Sequence, residues 1–433
     1  MRRSSCLKGL ALFSCLAVSS LAPLASADVK PGDLIDQHNW EKAQGLLPDS
    51  VLDWVKRGDM TLDVQDLKFD SSQFWSPSAL NSLKQNVGKY DLDDEETIVD
   101  AETRSHPTFI EGIPFPAIEP NDPKAGAKII HNQFYYKYTL GNLRFPFKAR
   151  WIGESGFERE VECYWRVFVM VGYPGARALP NSTGLERLGI IQILSPFDVA
   201  GTNVLLWRYL DARADNTFSY VPAIRRVRRM SSANRSDAFI GTDMSVDDAY
   251  AFDGKVGAFA WKLLGKREAL LPFVANTPQL IVRNENGEWE TTKDVKGAKY
   301  SYEVPGKKGA AWTPTNLVWI KRQAYVIEAI PKDPYYNYGP QYLWADAENF
   351  WLCFKIIHDR ANQYWKTFWV AEMPLESADK TMHWIGTGTH DMVDDRRRHA
   401  SILESISPTC QFTYYAIEDQ NDYSLAGFQK LCK

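Results

Sequence analysis

Sulfur, histidine and recognisable catalytic signatures are what this chain has least of. Six cysteines and seven histidines are spread over 433 residues. No Cys-x-x-Cys spacing occurs, which argues against a redox site or a zinc knuckle. The chain also has no Walker loop, no Rossmann glycine fingerprint, no Gly-x-Ser-x-Gly elbow and no His-Glu-x-x-His, so those nucleotide-binding and hydrolytic designs are excluded. A basic excess is missing too. Lys+Arg number 50 against 54 Asp+Glu, and nucleic acid as a partner needs a basic footprint. Beyond the N-terminus no apolar run reaches the length of a membrane helix.

The N-terminus is different. Arg2, Arg3 and Lys8 precede GLALFSCLAVSSLAPLA, and Ala25-Ser26-Ala27 follows. A basic start, a short apolar stretch and a small-residue cleavage site make a secretory leader. Residues 1–27 are therefore expected to be removed and the protein to reach the periplasm, with association to the outer membrane as the variant. A lipoprotein box at Leu12-Phe13-Ser14-Cys15 fits poorly, because of Phe13 and because the apolar region continues past Cys15. Cleavage would take 50 basic residues to 47 against 54 acidic ones, a net charge of about −7. Cys6 and Cys15 would leave with the leader. Cys163, Cys353, Cys410 and Cys432 remain, and an oxidising compartment permits two disulfides in three pairings. Proximity near the C-terminus favours Cys410 with Cys432.

The segment 28–128 is expected to be helical and extended. Asp33 opens a segment through Trp40 and Ala43. Pro48, Asp49 and Ser50 then start a helix with Val51, Leu52, Trp54 and Val55 at helical spacing, ended by Gly58. Such a stripe packs on a sheet, or in a functional variant lids a concave one. The acidic and Pro-rich residues 61–127 favour loop or extended chain. From 129 to 433 the pattern becomes β-rich, beginning with IIHNQFYYKYTL and continuing through runs such as EVECYWRVFVMVGY, NLVWIKRQAYVIEAI and QYWKTFWVAEM. Strands at this spacing without helical repeats predict an antiparallel sheet, in one structural unit with the N-terminal segment. Aromatics occupy both phases of QYWKTFWV, so either one face lines an apolar cavity or both faces are covered by protein.

The stretch 203–249 carries the most organised pattern. TNVLLWRYL and NTFSYVPAIRRVRRM form two β-type runs around the polar turn DARADN. Arg225, Arg226, Arg228 and Arg229 lie close to Asp243, Asp247 and Asp248, which predicts an internal ion-pair layer; the alternative is a site for an anionic head group. Elsewhere His383, His390, Asp391, Asp394, Asp395 and His399 cluster with Arg396, Arg397 and Arg398. No recognised metal spacing supports a centre there, and a solvated charge run explains it more simply. No convergent acid, base and nucleophile can be assembled, so the chain reads as a non-enzyme without a cofactor.

Three segments together resemble the DUF1329 family. They are Y-x-P-x-x-R-R-V-R-R followed by S-x-R-S-D-x-F-x-G-T-D, the opening NWEKAQGLLPDSVLDWVKRGD, and the late run AYVIEAIPKDPYYNYGPQYLWADAENFWLCFKIIHDRANQYWK. Relatives resemble the LolA and LolB lipoprotein-sorting proteins. The resemblance implies a mainly β, α+β fold: a curved antiparallel sheet, or half-open β-barrel, with helices over its concave face. It also tips the aromatic pattern toward a lined cavity. The expected function is a periplasmic carrier, acting as a monomer, for a hydrophobic or lipid-like ligand in envelope traffic, with a membrane exporter or outer-membrane protein as partner. A secreted hydrolase or glycan-binding protein is the alternative. Candidate ligand-binding residues are Trp207, Tyr209, Tyr220, Arg225, Arg226, Arg228, Arg229, Trp319 and Trp365.

Overall fold

The computed structural model describes residues 29–231 and 235–432; the expected leader lies outside them. Strands dominate. After the short β1 (Leu34–Ile35), β2 (Leu62–Gln65) and the hairpin β3 (Tyr90–Leu92) and β4 (Ile98–Asp100), an antiparallel series begins. It comprises β5 (Leu143–Gly153), β6 (Gly156–Val169), β7 (Leu185–Ser195), β8 (Asn203–Tyr209), β9 (Asn216–Val221) and β10 (Arg226–Arg229). A second series follows: β11 (Phe259–Phe273), β12 (Gln279–Arg283), β13 (Trp289–Thr291), β14 (Val318–Pro331), β15 (Gln341–Asp346) and β16 (Leu352–His358). The last strands are β17 (Tyr364–Ser377), β18 (His383–Asp394), β19 (His399–Glu404) and β20 (Thr413–Tyr414).

Pairing joins the two series into one curved sheet, because β19 lies antiparallel to β5 with Ile402 opposite Arg150. The sheet also closes partly on itself. The first half of β17 pairs with β16, whereas its second half meets β11 at Phe273 and β12 at Gln279 in parallel. With β2 joining β14, these are parallel junctions in an otherwise antiparallel array. The expected mainly β, half-barrel architecture is what the chain adopts.

Inward and outward positions follow the pleat. In β5, Leu143, Phe145, Phe147, Ala149 and Trp151 are buried while the residues between them are half-buried, the period-2 signature of a one-faced strand. β17 and β18 are buried at nearly every position instead. Protein covers both of their faces. On one side helix α1 (Asp49–Lys56) brings Ser50 Oγ to 2.7 Å from Thr367 Oγ1, and Trp54 sits edge-on to Trp312. On the other, Phe368 packs near His390, whose ring meets Tyr250. The aromatics of QYWKTFWV therefore serve two covered faces rather than one lined cavity.

Four further expectations need correction. IIHNQFYYKYTL is not a strand but most of helix α3 (Ala125–Tyr138), buried at 12 of its 14 positions. A helix buried on all sides has no polar stripe, so its aromatics imitate a sheet pattern. Gly126 permits the approach: a Cβ there would lie 3.2 Å from both Ile327 and Trp261. Residues 61–127, expected as loop, also hold helix α2 (Pro77–Gln85), capped by Ser76 Oγ accepting from Ala79 N. NTFSYVPAIRRVRRM is not one run but the hairpin β9–β10, reversed by a turn at Pro222–Ile224 with Arg225 left-handed at φ 47°. Finally, Cys163, Cys353, Cys410 and Cys432 are all free thiols. Cys410 closes a turn onto Ser407, while Cys432, at the end of helix α4 (Leu425–Leu431), meets Asn203.

Candidate ligand-binding site

The far end of β8 opens a cleft of about 410 Å³. Its wall is assembled from Tyr209 and the turn to Asp215, from Gly254–Phe259, from the β3–β4 turn at Asp94–Thr97, and from His131 and Phe134 of α3. Lys332, Asp333 and Tyr336 complete it. An adjoining hollow of about 170 Å³ shares Thr97, His131, Glu186, Leu210 and Asp211 with it. The polar turn DARADN thus does more than separate two strands.

Beneath the cleft runs a buried charge network. Arg208 Nε donates to Asp215 Oδ2 at 3.2 Å, and its Nη2 donates to the Asp253 carbonyl. Arg235 bridges Asp247 Oδ1 at 2.5 Å, Asp215 Oδ2 at 3.3 Å and the Asp253 carbonyl at 2.7 Å. Lys255 Nζ donates to the carbonyls of Tyr209 and Asp211 at 2.6 and 2.9 Å. Burial alone would raise the Asp215 carboxyl, but Arg208, Lys255 and Arg235 outweigh it and hold it at about 2. The cations of this network are therefore committed to protein acceptors.

Glu96 and His131 face the opposite situation. Burial raises the Glu96 carboxyl above its ordinary range, and its Oε2 is buried without a hydrogen-bond partner. Burial pushes the His131 imidazole down to about 4, with Lys255 and Arg208 adding repulsion. It is neutral at physiological pH, its Nε2 lying 2.8 Å from the Glu96 carbonyl. Phe134, Tyr209, Phe259 and Tyr336 add apolar surface. No serine or cysteine is among the described lining residues. The arrangement offers apolar area with a few orienting polar groups, as ligand pockets do.

Helix α3 carries this wall into an aromatic interior. Tyr136 sits edge-on to Trp75 and Trp351, and Lys137 Nζ lies 4.5 Å from the Tyr250 ring centre. Tyr250 inserts from a segment with left-handed backbone at Tyr250 (φ 54°) and Ala251 (φ 68°), a conformation that stores strain in residues with a Cβ. Around it several buried polar atoms lack hydrogen-bond partners: Gln133 Oε1, Arg187 Nε, Asp253 Oδ1 and His390 Nε2. Burial is the first cause that holds His390 near 3.

The residues singled out from the sequence do not converge on one cavity. Tyr209 lines the cleft, with the Arg213 guanidinium 4.1 Å above its ring. Trp207 and Tyr220 pack in a small separate core with Phe218, Tyr423 and Phe428, and Trp207 Nε1 donates to the Tyr423 carbonyl. Trp319 is buried in the main core against Phe354. Trp365 donates to Asp394 Oδ2 at 3.0 Å beneath Lys366. Arg225, Arg226, Arg228 and Arg229 are exposed on the hairpin. The expected ion-pair layer is absent: Asp247 pairs with Arg235, Asp248 with Lys355 at 2.6 Å, and Asp243 with His399 and Arg397. Short-range proximity in sequence did not survive because β10 turns away at the sheet margin. Glu96, His131 and Lys255 gave no pattern to find, since three separate segments bring them together.

A family model described as "Protein of unknown function (DUF1329)" matches residues 34–426. The chain belongs to the DUF1329 family. That span takes in the sheet, α1 to α3 and every residue lining the cleft. No curated protein matches the chain. Among solved structures, it is similar to a Vibrio parahaemolyticus domain described as of the outer membrane lipoprotein-sorting kind, at 16% identity and TM-score 0.47 over 71% of this chain and 100% of that one. A DUF1329 family protein from Desulfovibrio piger ATCC 29098 aligns at 15% identity and TM-score 0.45, covering 71% and 98%. A LolA superfamily protein from Nitrosomonas europaea aligns at 12% identity and TM-score 0.40, covering 70% and 98%.

Proposed function

We propose that this protein is a non-enzymatic carrier of an amphipathic, lipid-like small molecule in the cell envelope. The observation that supports it most is α3. One helix walls a polar-rimmed cleft with His131 and Phe134, then runs into an aromatic interior with Tyr136 and Lys137. The polar end of a ligand would meet Glu96 and the cleft rim, and its apolar end would displace Tyr250. Relief of the strained backbone at Tyr250 and Ala251 would offset part of that displacement. Passing cargo to a membrane exporter or outer-membrane partner is the role this reading implies, performed by a monomer.

Native mass spectrometry of protein purified from its own envelope, followed by solvent extraction, tests the idea. A co-purifying lipid-like mass, lost in Phe134→Ala and Tyr250→Trp, is the expected result. A protein that is empty and takes up no fluorescent acyl probe would refute it. A second reading, glycan hydrolysis, draws on the contrast between raised Glu96 and depressed Asp215. Three cations already engage Asp215, which weakens it, and failure of Glu96→Gln to change any oligosaccharide turnover would remove it.

A further inference from the structure

The end of the sheet opposite the cleft carries a surface that the carrier reading does not use. The turns β7–β8 and β9–β10 lie side by side there, since a Cβ on Gly201 would come 3.1 Å from Pro222 Cγ. On the first turn Phe197 is 98% exposed, and Leu194 just before it is 51% exposed. On the second, Ile224 is 41% exposed and leads into exposed Arg225, Arg226 and Arg228. The last turn of α4 arrives at the same place, where Asn203 Nδ2 donates to Cys432 Sγ at 3.3 Å next to half-exposed Leu431.

Isolated exposed apolar residues need no explanation. This group differs because three elements gather apolar tips beside guanidiniums that form no ion pair with a described residue. Asp198 is the one acidic residue on the two turns. The bond that Arg229 makes is to the neutral amide of Asn216.

We propose that this end of the sheet docks on an anionic lipid bilayer. Phe197, Leu194 and Ile224 enter the interface, and Arg225, Arg226 and Arg228 meet lipid phosphates. Alternation along β10 directs Val227 into the small core and leaves Arg226 and Arg228 on the other face. The charge of the patch selects the occupant, because a bilayer of acidic lipids rewards each nearby arginine. The cleft, at the far end of β8, would stay open to water. The proposal does not depend on what the cleft binds.

Flotation of the purified protein with vesicles tests it. Binding to vesicles of phosphatidylcholine with added phosphatidylglycerol is expected, weakening as salt rises, with little binding to phosphatidylcholine alone. Phe197→Ser should lower the partition about tenfold, from the apolar area it withdraws. Arg225→Gln and Arg226→Gln should each lower it about fivefold at low salt. All are surface changes, and unaltered circular dichroism and thermal midpoint serve as the folding control. Equal binding to both vesicle types, or variants that bind as the parent does, overturns the proposal. So does a dimer in sedimentation that Phe197→Ser dissociates without changing flotation, which would make the patch a contact between copies.

Discussion

Replacing Lys137 by Met should stabilise the protein, and the gain should shrink as pH rises. Lys137 is 5% exposed on α3, between the rings of Phe134 and Tyr250 at 4.7 and 4.5 Å. Its nearest counter-charge, Asp253, lies 3.9 Å away through Oδ1, and that carboxylate is shared with Arg208 at Oδ1 and Arg187 at Oδ2. Burial, with repulsion from Arg187 and Arg208, pulls its ammonium from 10.5 down to about 7. The sign follows from linkage. The unfolded chain holds a proton on this lysine up to about pH 10, and the folded one releases it near 7. The folded state therefore binds fewer protons between these values, and stability rises with pH across that window. The penalty is about 4 kcal/mol at pH 7 and about 2 kcal/mol at pH 9 by the same relation. Methionine has a similar length and no charge to bury, so it removes the penalty while keeping the ring contacts. Urea denaturation of parent and Lys137→Met at several pH values would read the difference directly. A variant less stable than the parent at pH 7, or a difference independent of pH, would refute the reasoning; it would mean that Asp253 depends on Lys137 for compensation.

Lys355→Met should act in the opposite direction. Lys355 and Asp248 are both fully buried and 2.6 Å apart, so removing the cation strands a carboxylate and should cost about 3–5 kcal/mol, read as a lowered urea midpoint. His399→Gln should destabilise more at pH 6 than at pH 9. The hydrogen bond to Asp243 is the leading cause that raises the imidazole above its ordinary value, and stability from a raised base is present at low pH and lost as pH passes the folded value. Arg226→Gln with Arg228→Gln should leave the unfolding free energy, from urea denaturation, within about 0.5 kcal/mol of the parent; a larger loss would restore the internal ion-pair layer.

Particular elements show why legibility was uneven. The long strands β6, β11, β14 and β17 stood out because their β-branched and aromatic runs match a half-buried pleat. Helix α1 was visible through its stripe from Val51 to Val55, its start at Pro48 and its stop at Gly58, left-handed at φ 76°. Helix α3 was not, because total burial erases the stripe that would reveal it. The cleft was hidden for another reason. His131 stood alone in sequence, Glu96 lay in an acidic run, and Lys255 sat between glycines. None has a local partner whose spacing announces a site.

The sequence by itself determined the family and the mainly β fold, since strand periodicity and turn chemistry are local and repeat along the chain. It also picked out the arginine cluster at 225–229, but pointed to an internal ion-pair layer where the structure leaves those side chains exposed. Only the tertiary structure decided which carboxylate pairs with which cation, which aromatics fill the interior, and where a cleft remains. Those outcomes depend on how β8, α3 and the 245–259 segment approach one another, and such contacts between distant segments leave no periodic trace in the order of residues.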